Sequence, residues 1–489
     1  MEVVQEIVAA LTTFSQPFID AEVRRVLDSG GRLRFDGDLT GLPVSSGSTT
    51  YPNVAYGHMA DEVRLGYQAA LVSMESPSYG RLWLSVAHHP GDTVSSTQME
   101  AMVQAAEEAV GRRPRRRTEL LHGRVKQVQE QVAAWEQQVA ARQSALTVAQ
   151  ERLAEAEEQL RERQAVCLEL EGQYRLTGRT VTPHSRLAQA RSRLHAGERR
   201  VQSRRRQVEQ AQRRLEKTRS KLHAQQAELD TLQQRLRRLE AENAANPHPV
   251  AAEFRVDAGF GTYDNVAYLI EMGYEVYTKP YSHRVVEALR RRTAEETSWT
   301  RVGANAEMAA WSQVELGRCP YPLDVALERF YVGQNLKYSA LLHYGSDPVL
   351  DDLPGWFKHY NRRQTIEAGI KEGKQVFYLH KIKVRSEPAI VLQEAFTLFA
   401  ANFIRWATEW LDGQAEPASN ALALRREGIK RQVQVVAHVA ARIERTAGGW
   451  LLKFSRYSVF AGKELFVPDG FSPPWSSGES CMAESSGFG

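Results

Sequence analysis

The sequence predicts a mixed α/β fold, a sheet with helices interrupted by a long antiparallel coiled-coil hairpin and by a strand-rich insertion. Three observations predict it. Alternating strand patterns and amphipathic helix patterns stand on both sides of a central basic stretch. That stretch carries a heptad repeat sustained along two arms. The charge is also partitioned: residues 115–245 hold 27 Lys and Arg against 17 Asp and Glu, while the rest of the chain holds 36 against 42. The net charge of +4 over 489 residues hides that split. A hydrophobic fraction of 42% with 25% charged residues is ordinary for a chain that buries a core, and it excludes global disorder. At roughly 100–200 residues per domain, the length implies several domains.

Residues 1–28 read as an N-terminal segment of one or two helices. Residues 33–39 alternate as Leu-Arg-Phe-Asp-Gly-Asp-Leu, a strand with Leu33 and Phe35 on one side. Residues 66–74 and 82–87 read as two more strands, and 96–110 as a helix. The first part of the α/β domain therefore spans 29–114. In the hairpin, 115–246, the first arm repeats Val125, Val128, Val132, Trp135, Val139, Leu146, Ala149, Leu153, Ala156, Leu160, Cys167 and Leu170, interrupted by Arg142 and Arg163. After a break at 177–183 the second arm places Leu187, Leu194, Val201, Val208, Leu215, Leu222, Leu229 and Leu236 seven residues apart. Two such arms joined by a short turn fold back on each other, each reaching roughly 80–90 Å.

Beyond the hairpin, 253–257 is strand-like, 265–272 helical and 274–278 another strand, so 247–279 continues the interrupted domain. Residues 280–342 favour strands and turns, including 325–332 and onward through 336–344, and form the strand-rich insertion. Helices at 353–373 and 389–411 complete the domain over 343–415. A helical and strand region, 416–467, precedes a Ser-, Gly- and Pro-rich tail at 468–489 expected to be disordered. The longest apolar run, 395–404, falls short of the ~18 residues of a membrane span. No basic, apolar leader follows Met1. Cys167, Cys319 and Cys481 stand too far apart for a zinc knuckle or a disulfide framework. A cytoplasmic protein without a membrane partner is expected.

The sharpest constellation is Tyr360, Arg363, Glu367 and Lys374, with Lys371 between the last two. Their offsets of 0, 3, 7 and 14 fall within roughly a 60° sector of one continuous helix. One face would then present a carboxylate flanked by a phenol and two cations, suited to a metal and to phosphates. The spacing Y-x2-R-x3-E-x6-K resembles the Y-R-E-K signature of bacterial cut-and-paste DDE transposases of the insertion-sequence 4 type. The resemblance implies an RNase H-like catalytic domain. It also implies an aspartate on the first strand in the form D-x-T, which Asp38-Leu39-Thr40 supplies, with Asp36 on the same side as a competitor. A second aspartate is implied on the fourth strand in the form D-x-G-F, supplied by Asp257-Ala258-Gly259-Phe260.

The resemblance further implies that Asp38, Asp257 and Glu367 form the catalytic, metal-binding triad for phosphodiester hydrolysis and strand transfer. Two Mg²⁺ ions, or Mn²⁺ in their place, are the implied cofactor, and oxygen-only donors suit them. Tyr360, Arg363, Lys371 and Lys374 would hold DNA phosphates, and Trp299 would stack on a base, with Trp311 second. Double-stranded DNA, as transposon end and target, and a homodimer in a synaptic complex are the implied partners, at the bacterial nucleoid. In the hairpin, Arg204, Arg205 and Arg206 are DNA-binding candidates. They are equally placed to pair with Glu151, Glu155, Glu157 and Glu158 of the first arm. No G-x4-G-K-[ST] motif occurs, which argues against a coiled-coil ATPase. The other reading is a decayed or repurposed transposase, acting as a coiled-coil DNA-binding or scaffolding protein.

Overall fold

In the computed structural model, residues 2–45, 51–59, 62–295, 297–413, 428–439, 441–446 and 449–455 are described. The tail at 468–489 lies outside them. The chain divides into an α/β unit, residues 1–117 with 245–489, and a coiled-coil unit, residues 118–244.

The α/β unit opens with α1 (Glu2–Asp28), a single helix. Alternation of large apolar residues then gives β1 (Leu33–Pro43), which buries Leu33 and Phe35. It pairs antiparallel with β3 (Glu62–Ser76), which pairs antiparallel with β4 (Gly80–Pro90). A short strand, β2 (Ala55–Met59), adds to the start of β3. Helix α2 (Met99–Val110) follows. After the coiled coil, β5 (Ala252–Arg255) joins the other side of β1 in parallel. Through α5 (Tyr263–Glu271) the chain reaches β6 (Glu275–Thr278), parallel to β5. The resulting core order is β4-β3-β1-β5-β6.

The 280–342 segment departs from expectation in two ways. It begins with a helix, α6 (His283–Arg292), because Ser282 caps it and Val285, Val286 and Leu289 share a buried face. Its strands do not form a separate insertion. β7 (Thr300–Arg301), β8 (Ala306–Val314), β9 (Leu323–Val332) and β10 (Asn335–Tyr344) run antiparallel, and β10 pairs with β6, so one ten-stranded sheet continues outward from the core. The seam between β6 and β10 is apolar and aromatic: Tyr277, Met308, Ala326, Leu341 and Trp356 pack in one cluster.

The helix expected over 353–373 is two helices, α7 (Leu353–Asn361) and α8 (Gln364–Gln375). Three i→i+3 hydrogen bonds, Arg363 N to Tyr360 O, Thr365 N to Arg362 O and Ile366 N to Arg363 O, tighten the turn between them. A tighter turn advances ~120° per residue instead of 100°. Tyr360 belongs to α7 and Glu367 and Lys374 to α8, so the face expected on one continuous helix is split between two. α9 (Glu387–Gly413) packs on β4 and α1 through a stacked Phe18–Trp406 pair, and Asn402 bonds both backbone polar groups of Trp83. A short α10 (Ile429–Gln432) continued by a π-helical turn (Val433–Ala437), and a hairpin of β11 (Ala441–Thr446) and β12 (Gly449–Phe454), are the described elements of the 416–467 region.

The second unit is a long helical pair, α3 (Thr118–Leu176) against α4 (Arg186–Ala244), 59 residues each. Cross-arm contacts identify the pair as antiparallel: Glu171 with Arg191, Glu157 with Arg205, Gln143 with Arg219 and His122 with Glu240 step up one arm and down the other. Leu187, Val201, Val208, Leu215 and Leu236 are buried in the seam, as the heptad requires. Where Arg163 breaks the repeat, Gly197 faces it; a Cβ there would lie 3.0 Å from Leu160 and 3.4 Å from Arg163. The glycine makes room for the arginine, which donates to the Arg193 carbonyl.

Residues 115–117, counted above with the basic stretch, belong to the α/β unit. Arg116 is buried, clamping Glu107 with both guanidinium nitrogens, and Arg117 donates to the carbonyls of Ile270 and Tyr274. The hairpin alone carries 24 Lys and Arg against 17 Asp and Glu. Asn246 and Val250 both donate to the Arg113 carbonyl, so the two crossings of the domain boundary lie side by side. Replacing 118–244 by a short flexible linker should therefore leave the α/β unit folded. A cooperative thermal melt within a few degrees of the full chain is the expected result, and loss of the transition would contradict it.

Candidate active site

Asp38 lies in the middle of β1, and Asp257 lies two residues past the end of β5. The parallel register pairs Asp36 with Arg255, which brings Asp38 level with Asp257. Helix α8 lies across this end of the strands and carries Glu367, with Arg363 immediately before its first turn. Arg363 is the buried hub. Its Nη2 donates to Glu367 Oε1 at 2.7 Å, and its Nη1 stands 3.6 Å from Asp38 Oδ2. The Tyr360 hydroxyl donates to the Val256 carbonyl beside Asp257. Lys374 donates to the Thr40 hydroxyl at 2.7 Å and to the Gly41 carbonyl, so the threonine of the D-x-T form anchors the lysine.

Asp36 and Asp38 have separate fates. Asp36 is fully buried, receiving Arg255 through Nε at 2.7 Å and Nη2 at 3.0 Å, and Arg81 at 3.0 Å. Arg81 also bonds Ser73 and Thr365, and Arg255 also bonds Glu75. Asp36 is thus neutralised inside an arginine network, while Asp38 opens into a cleft of ≈ 1110 Å³ with Glu367, Lys374 and Gly259 on its walls.

Burial pushes the Asp38 carboxyl up to about 7, partly opposed by Arg363 and reinforced by Asp257 and Glu367. Its ordinary value is 3.8. A carboxyl raised in the folded state favours folding most fully below that ordinary value, and the contribution is lost as pH rises through about 7. Three units correspond to on the order of 4 kcal/mol. Thermal melts without divalent cation should accordingly fall in midpoint between pH 6 and 8, and Asp38→Asn should flatten the decline. An unchanged slope in the variant would remove Asp38 as its source.

The chemistry of the donors fits a hard divalent cation. All three acids offer oxygen, and both Asp257 Oδ1 and Arg363 Nη1 are buried without a hydrogen-bond partner. The oxygens are not closed around a single point, since the Arg363 guanidinium sits against Asp38 and Glu367. Among the described residues, the trio whose ligand atoms all lie within 4.8 Å of one another is Glu275, His343 and Asp347. Arg32 already bridges Glu275 and Asp347, and Tyr277 donates to Asp347, so a cation is present there in guanidinium form. That cluster is a structural ion-pair network at the opposite ends of β5 and β6.

Lys371 is exposed on α8 and does not line the cleft. Trp299 precedes β7 on the far edge of the sheet, under the Arg329 guanidinium at 4.0 Å. Neither Trp299 nor Trp311 lines the cleft. In the coiled coil, Arg204 is half-buried at a seam position and bonds Gln207, Arg205 pairs with Glu157, and Arg206 is exposed. Sequence reading missed Arg255, although it stands two residues before Asp257 in the same motif. It also missed Tyr56 and Tyr281, exposed rings on the cleft wall with no local signature.

No protein-family model and no curated protein matches this chain. Solved structures similar to it include a membrane protein from Pseudomonas aeruginosa, 10% identical, covering 82% of this chain and 85% of that one at a TM-score of 0.18. The outer membrane protein VceC from Vibrio cholerae is 11% identical, covering 84% and 93% at a TM-score of 0.13. Superpositions at these scores share no fold. No helix among the described residues is long and apolar enough to cross a membrane.

Proposed function

We propose that this chain is a DDE-type DNA transposase, hydrolysing and transferring DNA strands at transposon ends with Mg²⁺ held by Asp38, Asp257 and Glu367. One observation carries the reading. Three acids from segments more than a hundred residues apart meet around a buried arginine at one end of parallel strands, in the order their motifs require. The core order β4-β3-β1-β5-β6, with the first three strands antiparallel and the last two parallel to β1, supports an RNase H-like domain. When bound, a pair of such ions activates the attacking oxygen and stabilises the leaving one.

The protein's own groups have distinct tasks in this reading. Arg363 neutralises Asp38 and Glu367 until the cations bind, and its Nη1, 3.6 Å from Asp38 Oδ2 and without a hydrogen bond, is then available to a phosphate oxygen. Lys374, anchored on Thr40, adds a second positive charge at the cleft. Tyr360 stays a neutral phenol, because burial raises it above its ordinary value. The substrate is double-stranded DNA at transposon ends and target, bound by a homodimer at the bacterial nucleoid. The testing experiment is cleavage of DNA carrying the sequences that flank the gene, searched for inverted repeats. Cleavage should require Mg²⁺ or Mn²⁺, and activity that persists in chelator would overturn the reading.

A second reading, a DNA-binding scaffold, draws on the coiled coil. α3 carries seven Lys and Arg against ten acids, and α4 sixteen against seven. Arg199, Arg206 and Arg213 repeat every seven residues opposite the seam and are exposed. Changing these three to Gln should weaken duplex binding and lower the slope of log K against log[salt] by up to about 2–3. An unaltered slope would remove this stripe as a phosphate contact. The scaffold reading predicts this binding without any cleavage.

A further inference from the structure

Two exposed tyrosines on the cleft wall have no part in the chemistry above. Tyr56 is 62% exposed and Tyr281 is 64% exposed, and both line the same cleft as Asp38, Glu367 and Lys374. Their rings are free while their backbones are fixed. Tyr56 belongs to β2, whose next residue, Gly57, lies so close to the Gly91 carbonyl that a Cβ would stand 1.6 Å from it. Gln68 ties that contact down by donating to the carbonyls of His58 and Gly91. Tyr281 donates its backbone N–H to the Gly261 carbonyl at 2.9 Å, and a Cβ on Gly261 would stand 1.8 Å from the Lys279 carbonyl. Only glycine permits either approach. Each ring is therefore presented from a rigid base, the arrangement that loses least entropy on binding a flat partner.

The cleft wall sets Arg64, which pairs with Glu62, and Lys374 against its acids, and Arg363 behind it is already engaged by Asp38 and Glu367. Phosphate contacts alone would hold a strand weakly here. Stacking on aromatic faces supplies affinity that does not depend on charge or sequence, but it requires bases removed from the duplex stack. Tyr56 and Tyr281 are the phenol rings on this wall.

We propose that Tyr56 and Tyr281 form a base-stacking platform beside the carboxylates, so that the cleft takes DNA ends with unpaired nucleotides in preference to uninterrupted duplex. The inference rests on the transposase reading for the identity of its substrate. It is tested by binding, in buffer without divalent cation, of fluorescently labelled DNA that is blunt or carries a short 5′ or 3′ single-stranded extension. The wild-type chain should prefer one extended form. Tyr56→Ala or Tyr281→Ala should each weaken binding of that form about ten- to hundredfold, with blunt DNA unchanged. Tyr→Phe at either position should retain the preference, and 2-aminopurine in the extension should be quenched by wild type and not by the Ala variants. Both rings are exposed, so melting temperatures should not change.

Equal loss on blunt and extended DNA, or no loss on either, would overturn the platform. The two ideas fail separately. Tyrosine-dependent preference without any metal-dependent cleavage keeps the platform and discards the transposase, whereas cleavage without the preference does the reverse.

Discussion

Glu367→Gln is expected to reduce metal-dependent DNA cleavage by at least about 10³-fold while leaving the melting temperature within a degree or two. The reasoning is electrostatic. A carboxylate that helps hold the cations contributes several kcal/mol of charge stabilisation in the transition state, and 1.36 kcal/mol is tenfold in rate. The Glu367 side chain is 55% exposed, and glutamine at this position keeps an Oε1 that can accept from the buried Arg363. The fold therefore does not depend on it. Asp257→Asn should behave similarly, since its Oδ1 has no hydrogen-bond partner to lose. Lys371→Ala serves as the neighbouring control, because this exposed side chain does not line the cleft; near wild-type cleavage is expected. Cleavage surviving in Glu367→Gln would remove that residue from the chemistry.

Asp36→Ala is expected to destabilise the protein by about 3–5 kcal/mol, read as a shift in the denaturant midpoint at constant slope. Asp36 is the shared partner of two buried arginines. Its removal leaves Arg255 with Glu75 and the His359 carbonyl and leaves Arg81 only hydroxyls for bonding. An unpaired buried guanidinium is the costly outcome, since the arginines cannot discharge by losing a proton. Asp38→Asn, two residues along the same strand, should do the opposite. It removes a carboxyl that burial pushes up to about 7, so the metal-free protein should gain stability at pH 8. Cleavage should nevertheless be lost. If Asp36→Ala is neutral and Asp38→Asn destabilising, the assignment of the two aspartates is reversed.

Much of this was legible in the sequence because short-range pattern encodes it. The heptad series from Leu187 to Leu236 specified a long helix packed against a partner, and D-x-T, D-x-G-F and Y-x2-R-x3-E-x6-K marked Asp38, Asp257, Arg363 and Glu367. Pairings that form only in three dimensions were not legible. Asp36 and Asp38 look alike on a strand of period two; what separates them is Arg81 and Arg255, from two other strands. The tight turn at Arg362–Arg363 has no Gly or Pro to announce it, so α7 and α8 read as one helix. The 300–344 strands read as an insertion because nothing local says that Leu342, His343 and Tyr344 pair with β6. Trp299 has the residue type but not the position, while the exposed rings on the cleft are tyrosines, one beside Gly57 and the other bonded to the distant Gly261.

On the proposed function, Asp38, Asp257 and Glu367 form one divalent-cation site. Anomalous diffraction from crystals of the full chain soaked in Mn²⁺ tests it most directly. The expected result is manganese bounded by those three carboxylates, absent in the Asp257→Asn variant, with Arg363 turned away from Glu367. Manganese bound only at Glu275 and Asp347, or no ordered ion near Asp38 at saturating Mn²⁺, would contradict it.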